Sequence, residues 1–144
     1  MRTVRVLFVC IGNAIRSQMA EAFARRYGSD VIVARSAGVA PATAVAPLTR
    51  KILGERNIDM ADQFPKGLRE VDVASFDLVI NMSGETLPFA CSSRDWKVRD
   101  PVGLKEAVYQ EVAVQIETQV IQLILELRGL QTHWKQEFDL GGRR

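Results

Sequence analysis

Hydrophobic and polar positions change period several times along the chain, and each change predicts an element. Val4 to Val9 is a short apolar run rich in β-formers and predicts a buried strand. From Ser17 the spacing lengthens. Met19, Ala20, Phe23, Ala24 and Tyr27 recur at helical intervals, and Gly28 follows as a stop. Val31 to Ala34 predicts a second strand ended by Ser36-Ala37-Gly38. Val45 to Arg56 predicts a helix with Leu48, Ile52 and Leu53 on one face. Phe76 to Met82 predicts a third strand, and Trp96 to Val98 a short fourth before Asp100-Pro101-Val102-Gly103. The most regular stripe comes last: Val108, Val112, Ile116, Val120, Leu123, Ile124 and Leu127 share one face of a helix from about Lys105 to Leu127.

Strands alternating with helices predict an α/β fold, a single domain on a parallel sheet covered on both faces. The chain carries no repeat, low-complexity stretch or internal linker. After Arg128 the sequence turns polar and loses the stripe. Residues 129–144 therefore read as a polar C-terminal extension to a catalytic domain of residues 1–128, either frayed or forming a short extra helix.

The length of 144 residues suits one core. With 47% hydrophobic and 25% charged residues, the composition is that of a globular protein rather than a disordered one. Nineteen basic against 17 acidic residues give a net charge of +2, too balanced to point to nucleic acid or a membrane surface. No apolar run approaches a membrane span, and the N-terminal run lacks the features of a signal peptide, so a cytoplasmic protein is expected. Two cysteines, Cys10 and Cys91, are too few for a disulfide scaffold. With His133 the only histidine, no metal and no cofactor are expected.

The candidate chemistry lies between the first strand and the first helix, in Cys10-Ile11-Gly12-Asn13-Ala14-Ile15-Arg16-Ser17. Ligands of open parallel sheets bind beyond the carboxyl ends of the strands. Unpaired N–H groups and the dipole at a helix start favour an anion there. Gly12 and Asn13 are the residues best suited to a tight loop with positive φ, so a ring of amide donors for a tetrahedral oxyanion is plausible. A thiol facing such a ring and a guanidinium is favoured as thiolate, the nucleophilic form. Arg16 offers a planar charged fork for two oxygens, and the Ser17 hydroxyl can donate to the Cys10 sulfur. The nucleotide-triphosphate loop pattern is absent. A buried structural cysteine is the bland alternative, but Cys-x5-Arg-Ser/Thr between a strand and a helix arises rarely by chance.

Val9-Cys10-Ile11-Gly12-Asn13-Ala14-Ile15-Arg16-Ser17-Gln18-Met19-Ala20-Glu21 resembles the signature of low-molecular-weight protein tyrosine phosphatases and of the thioredoxin-coupled arsenate reductases that share their fold. Ser36-Ala37-Gly38 and Asp100-Pro101 look like further family landmarks, and the resemblance runs from residue 4 to about 127. It implies a four-stranded parallel sheet flanked by helices. It also implies Cys10 as nucleophile, Arg16 as oxyanion binder, Ser17 as thiolate stabiliser, Asn13 as loop organiser and Asp100 as general acid. On its own, Asp-Pro is a common turn signal. In this context a carboxyl that protonates the departing oxygen fits the chemistry.

Several positions depart from that pattern. Ile15 stands where many relatives carry a second cysteine. Only Cys91 remains after the third strand, where the thioredoxin-coupled reductases carry a pair, and it aligns with neither position. Cys91 thus reads as a structural thiol or a possible resolving thiol. The loops Val39 to Ala44 and Val102 to Leu104 contain none of the aromatics that hold a phenyl ring in the tyrosine phosphatases. Gln18 and the run Asp95 to Pro101 look more like the reductase branch.

The leading expectation is thiol-dependent reduction of arsenate to arsenite through a Cys10 adduct, with glutathione, mycothiol or a thioredoxin-type partner as external reductant. The alternatives are hydrolysis of phosphomonoesters through a phosphocysteine and a non-catalytic module that binds phosphate or arsenate. Trp96 reads as core packing rather than a substrate platform, His133 as a surface residue, and Arg5, Arg25 and Arg26 as solvated charges.

Overall fold

The computed structural model describes residues 3–89 and 91–139, with the side chains of 130–139 left aside. The elements are β1 (Val4–Cys10), α1 (Arg16–Gly28), β2 (Ile32–Gly38), α2 (Pro47–Glu55), β3 (Leu78–Asn81), β4 (Ser92–Asp95) and α3 (Glu106–Asp139). Two 3-10 turns, Leu68–Glu70 and Val73–Ser75, precede β3. All strand pairs are parallel and the order is β2-β1-β3-β4. The fold is the four-stranded parallel α/β sheet that the alternating pattern predicts.

Strand period divides the core in two. Val6, Phe8 and Cys10 of β1 and Leu78 and Ile80 of β3 face the helices, packing with Met19 and Phe23 of α1, Ile52 and Leu53 of α2, and the stripe from Val112 to Leu127 of α3. Leu7, Val9 and Val79 face the other side, where Leu68, Val71, Val73, Leu87 and Phe89 cover them. Both faces are covered, but all three helices pack into one cluster; 3-10 turns and a loop close the second face. Pro65, Gly67, Gly84 and Pro88 in those segments disfavour continuous helix.

The fourth strand is a correction. It is Ser92–Asp95, not Trp96 to Val98. It lies at the sheet edge with all four residues exposed, so no apolar pattern marks it. Trp96 and Val98 follow the strand and turn back to the helix-side core, Trp96 at 6.1 Å from the Phe8 ring. β2 also runs further than predicted, through Ser36-Ala37-Gly38, which pair with Phe8, Val9 and Cys10. Past Arg128 the helix continues without a break to Asp139. The side chain of His133 lies outside the described residues. Arg25 is not simply solvated, since it pairs with the buried Glu21 at 3.5 Å and with Asp62 at 3.7 Å. Arg5 stacks over the Phe76 ring at 4.9 Å.

Candidate active site

Cys10 closes β1 and Arg16 opens α1, so five residues must turn the chain from strand to helix. Asn13 makes the turn with φ of 50°, a left-handed conformation that asparagine tolerates better than most residues. Segment 39–46 fixes the loop from outside. The N–H groups of Val39, Ala40, Ala42 and Ala46 donate to the carbonyls of Cys10, Ile11, Gly12 and Ala14 at 2.8 to 3.1 Å. Across a trans peptide the carbonyl and the next N–H point opposite ways. Turning these carbonyls outward therefore turns the N–H groups of Ile11, Gly12, Asn13 and Ile15 inward. α1 adds no competing group, since its start has no side-chain cap and no acidic residue in the first turn. Its free N–H groups and dipole favour an anion there.

Close approach of β2 makes this possible. A Cβ on Gly38 would lie 2.7 Å from the Ile11 carbonyl oxygen and 2.9 Å from the Asn13 nitrogen. Below it, the buried Ser36 hydroxyl donates to the buried Glu21 carboxylate and ties β2 to α1.

The loop brings three of the predicted residues into two contacts. Cys10 Sγ lies 2.9 Å from Ser17 Oγ, and Asn13 Nδ2 donates to that same oxygen at 2.7 Å. An amide NH2 can only donate, so Ser17 accepts from Asn13 and its single hydroxyl hydrogen is free for the sulfur. The Arg16 guanidinium is buried. Its Nη1 donates to the carbonyls of Met82 at 2.6 Å and Val98 at 3.1 Å, and its Nη2 lies 3.4 Å from Asp100 Oδ2. The Nε–Nη2 edge is the one left for a two-oxygen contact. Asp100 is partly exposed and accepts the Val102 N–H at 3.1 Å, which shapes its own loop. Burial first, and then the Asp100 charge, push the Tyr109 phenol above its ordinary range.

A cavity of about 460 Å³ shares Arg16 with this loop but not Cys10; Trp96, Lys97, Val98 and Arg99 line it from the other side. An anion dish made of backbone N–H groups is shallow, so volume does not mark it. Trp96 thus packs in the core and also borders an opening.

The sequence profile of the low molecular weight phosphotyrosine protein phosphatase family matches residues 5–133. The chain belongs to that family. A glutaredoxin arsenate reductase from Synechocystis sp. is 31% identical over 129 residues, 85% of this chain and 98% of the relative. An arsenate reductase structure from Archaeoglobus fulgidus superposes with a TM-score of 0.76 at 35% identity, over 83% of this chain and 98% of that one. The YwlE arginine phosphatase from Geobacillus stearothermophilus superposes with a TM-score of 0.80 at 25% identity, over 90% and 96%. The chain is an enzyme of the low-molecular-weight phosphatase superfamily, in which reductases and phosphatases share one fold.

Cys91 is not brought to this site. It is half-buried against the Leu7, Val9 and Val79 cluster, whereas Cys10 packs with Val6 and Phe8 on the opposite face of the sheet. Gln18, buried beside Asn13, and Gln63, buried beside Gln18, were not picked out by sequence as part of the loop. A polar residue among the apolar positions of the first turn was the available signal for Gln18; Gln63 is distant in sequence and gave none. Among the described residues no helix is long and apolar enough to cross a membrane, and no cluster of three His, Cys, Asp or Glu side chains could hold a metal ion.

Proposed function

We propose that the protein reduces arsenate to arsenite with an external thiol. The Cys10 thiolate attacks arsenic and displaces one oxygen, which leaves as water with a proton from Asp100. The inward amides of Ile11, Gly12, Asn13 and Ile15, with Arg16, hold the remaining oxygens. A second thiolate then attacks Cys10 sulfur. A disulfide forms, the sulfur–arsenic electron pair stays on arsenic, and arsenite departs. The incoming thiol belongs to glutathione, mycothiol or a thioredoxin-type partner, which the reductase relatives make the natural class of reductant.

The observation that carries this reading is the contact of Cys10 with a Ser17 hydroxyl whose oxygen is already occupied by Asn13. A hydrogen bond of this kind favours a sulfur that is first nucleophile and then electrophile. The rim loops supply Val39 and Val102 rather than aromatics, which suits a bare oxyanion. Phosphomonoester hydrolysis is the second reading, favoured by the partly exposed Asp100 beside Arg16, a position from which a carboxyl can protonate a leaving alkoxide.

The deciding experiment assays one preparation for arsenate reduction with glutathione, mycothiol and thioredoxin systems, and for p-nitrophenyl phosphate hydrolysis. Thiol-dependent arsenite release that Cys10→Ser abolishes is expected. Phosphatase turnover with arsenate acting only as a competitive inhibitor would reverse the order of the two readings.

A further inference from the structure

Gln18 is fully buried in the first turn of α1, and Gln63 is buried beside it. Gln18 Nε2 donates to the Asn13 carbonyl at 3.0 Å, to Asn13 Oδ1 at 3.1 Å and to the Phe64 carbonyl at 3.0 Å. Gln63 Nε2 donates to Gln18 Oε1 at 2.7 Å and to the Gln18 carbonyl at 3.1 Å. Backbone groups dictate each orientation. Carbonyls can only accept, so the nitrogens of Gln18 and Gln63 must face them. The Lys66 N–H, 2.9 Å from Asn13 Oδ1, can only donate, so that oxygen must face it.

The consequence reaches the nucleophile. With Oδ1 held by Lys66 and Gln18, Asn13 must turn Nδ2 toward Ser17, and Ser17 must turn its hydrogen toward Cys10. If the amide reversed, Oδ1 would take the Ser17 hydrogen and the sulfur would lose its donor. Gln18 resists that reversal twice: by its own bond to Oδ1, and by tethering Phe64, two residues before the Lys66 N–H.

We propose that Gln18 and Gln63 are positioning residues which, through Asn13, keep the Ser17 hydroxyl donating to Cys10. The proposal rests on Cys10 as nucleophile, but its test needs no turnover. In a Cys91→Ser protein, the rate of Cys10 alkylation by iodoacetamide is measured across pH, with a melting curve for each variant. Gln18→Met and Gln63→Leu are expected to slow alkylation about tenfold at mildly acidic pH, the loss of one hydrogen bond to a charged group. Rates should converge at alkaline pH, where every variant is thiolate. In a Ser17→Ala background the same substitutions should add nothing further, a coupling that a merely structural role does not produce.

An unchanged pH profile in a folded variant overturns the proposal, as does an effect that persists without the Ser17 hydroxyl. Should both variants fail to fold, the wild-type protein decides by nuclear magnetic resonance. The Asn13 side-chain amide hydrogens are expected to exchange slowly in one orientation, and rapid exchange overturns the relay. Arsenate reduction is assayed in parallel. Its absence beside an intact alkylation pattern strikes the reductase reading and leaves the relay standing.

Discussion

Arg16 and Asp100 form an ion pair of 3.4 Å between a guanidinium that is 6% exposed and a carboxylate that is 39% exposed. The arginine is held from behind by the Met82 and Val98 carbonyls before any substrate arrives. A lysine ammonium cannot occupy those carbonyls and still present two parallel N–H groups. Arg16→Lys is therefore expected to lower kcat/KM at least about 100-fold, the scale of losing one oxyanion-stabilising donor. Steady-state kinetics check this; near-normal rates would leave Arg16 as a helix-start residue only.

In the proposed chemistry Asp100 gives its proton to the departing oxygen, and Asp100→Asn keeps its shape while removing that proton. In the hydrolytic reading, loss should be much larger on phenyl phosphate than on p-nitrophenyl phosphate, whose leaving group needs no acid. Equal losses on the two esters would show that the substitution merely disturbs the Asp100–Val102 turn.

How much of this was legible in the sequence depends on where the signal came from. Cys10, Arg16 and Ser17 were readable because they lie within eight residues at a strand-to-helix junction, and the helices because their apolar stripes are regular. β4 was not readable, because an exposed edge strand such as Ser92–Asp95 owes its place to ladder bonds with β3 rather than to burial. The grip on Arg16 was hidden as well, since it comes from backbone carbonyls of Met82 and Val98, which carry no residue-type signature. The inward turn of the loop amides rests likewise on backbone donors from residues 39–46.

Two glycines give opposite expectations. A Cβ on Gly38 would meet loop backbone at 2.7 Å, whereas one on Gly54, within α2, meets nothing within 4 Å. Gly38→Ala is expected to destabilise by about 1–3 kcal/mol and to weaken phosphate binding, because the loop itself must move. Gly54→Ala is expected to stabilise by about 0.5–1 kcal/mol through lower unfolded-state entropy. Denaturant unfolding with phosphate titration tests both, and a stabilised Gly38→Ala would contradict the close packing of β2 on the loop.

Asp30 and Arg128 clamp α3 to the end of α1 through two hydrogen bonds, at 2.7 and 2.9 Å, and Arg128 also reaches the Tyr27 carbonyl at 3.1 Å. The Arg128 hydrogen bonds hold the Asp30 carboxyl below its ordinary range. A carboxylate more acidic when folded contributes stability above its unfolded value, and loses it as pH falls through the folded value. The melting temperature of Asp30→Asn should thus trail the wild type at neutral pH and approach it on acidification, with a smaller gap in high salt. A gap that widens toward acid would contradict the assignment.

The two cysteines pack on opposite faces of the sheet, which argues for an external source of reducing thiol in the proposed reaction. Cys10 faces the helices, and Cys91 packs on the far face of the sheet with Leu87 and Phe89. A disulfide needs Cα atoms within about 7 Å, so an internal relay would require the segment from Ser83 to Arg94 to leave that face, exposing the apolar residues it covers. Exposure of apolar side chains costs about 1.5–3 kcal/mol each. Cys91→Ser should therefore leave arsenate reduction within about twofold of wild type when an external thiol is saturating. Arsenate-treated protein supplied with limiting glutathione should carry a mixed disulfide on Cys10, resolved by mass spectrometry of the intact protein and its peptides. In the phosphatase case no mixed disulfide forms, and Cys91→Ser leaves hydrolysis untouched. A Cys10–Cys91 disulfide that accumulates as fast as turnover would show that the loop does cross, and that the external thiol acts only on the disulfide it leaves behind.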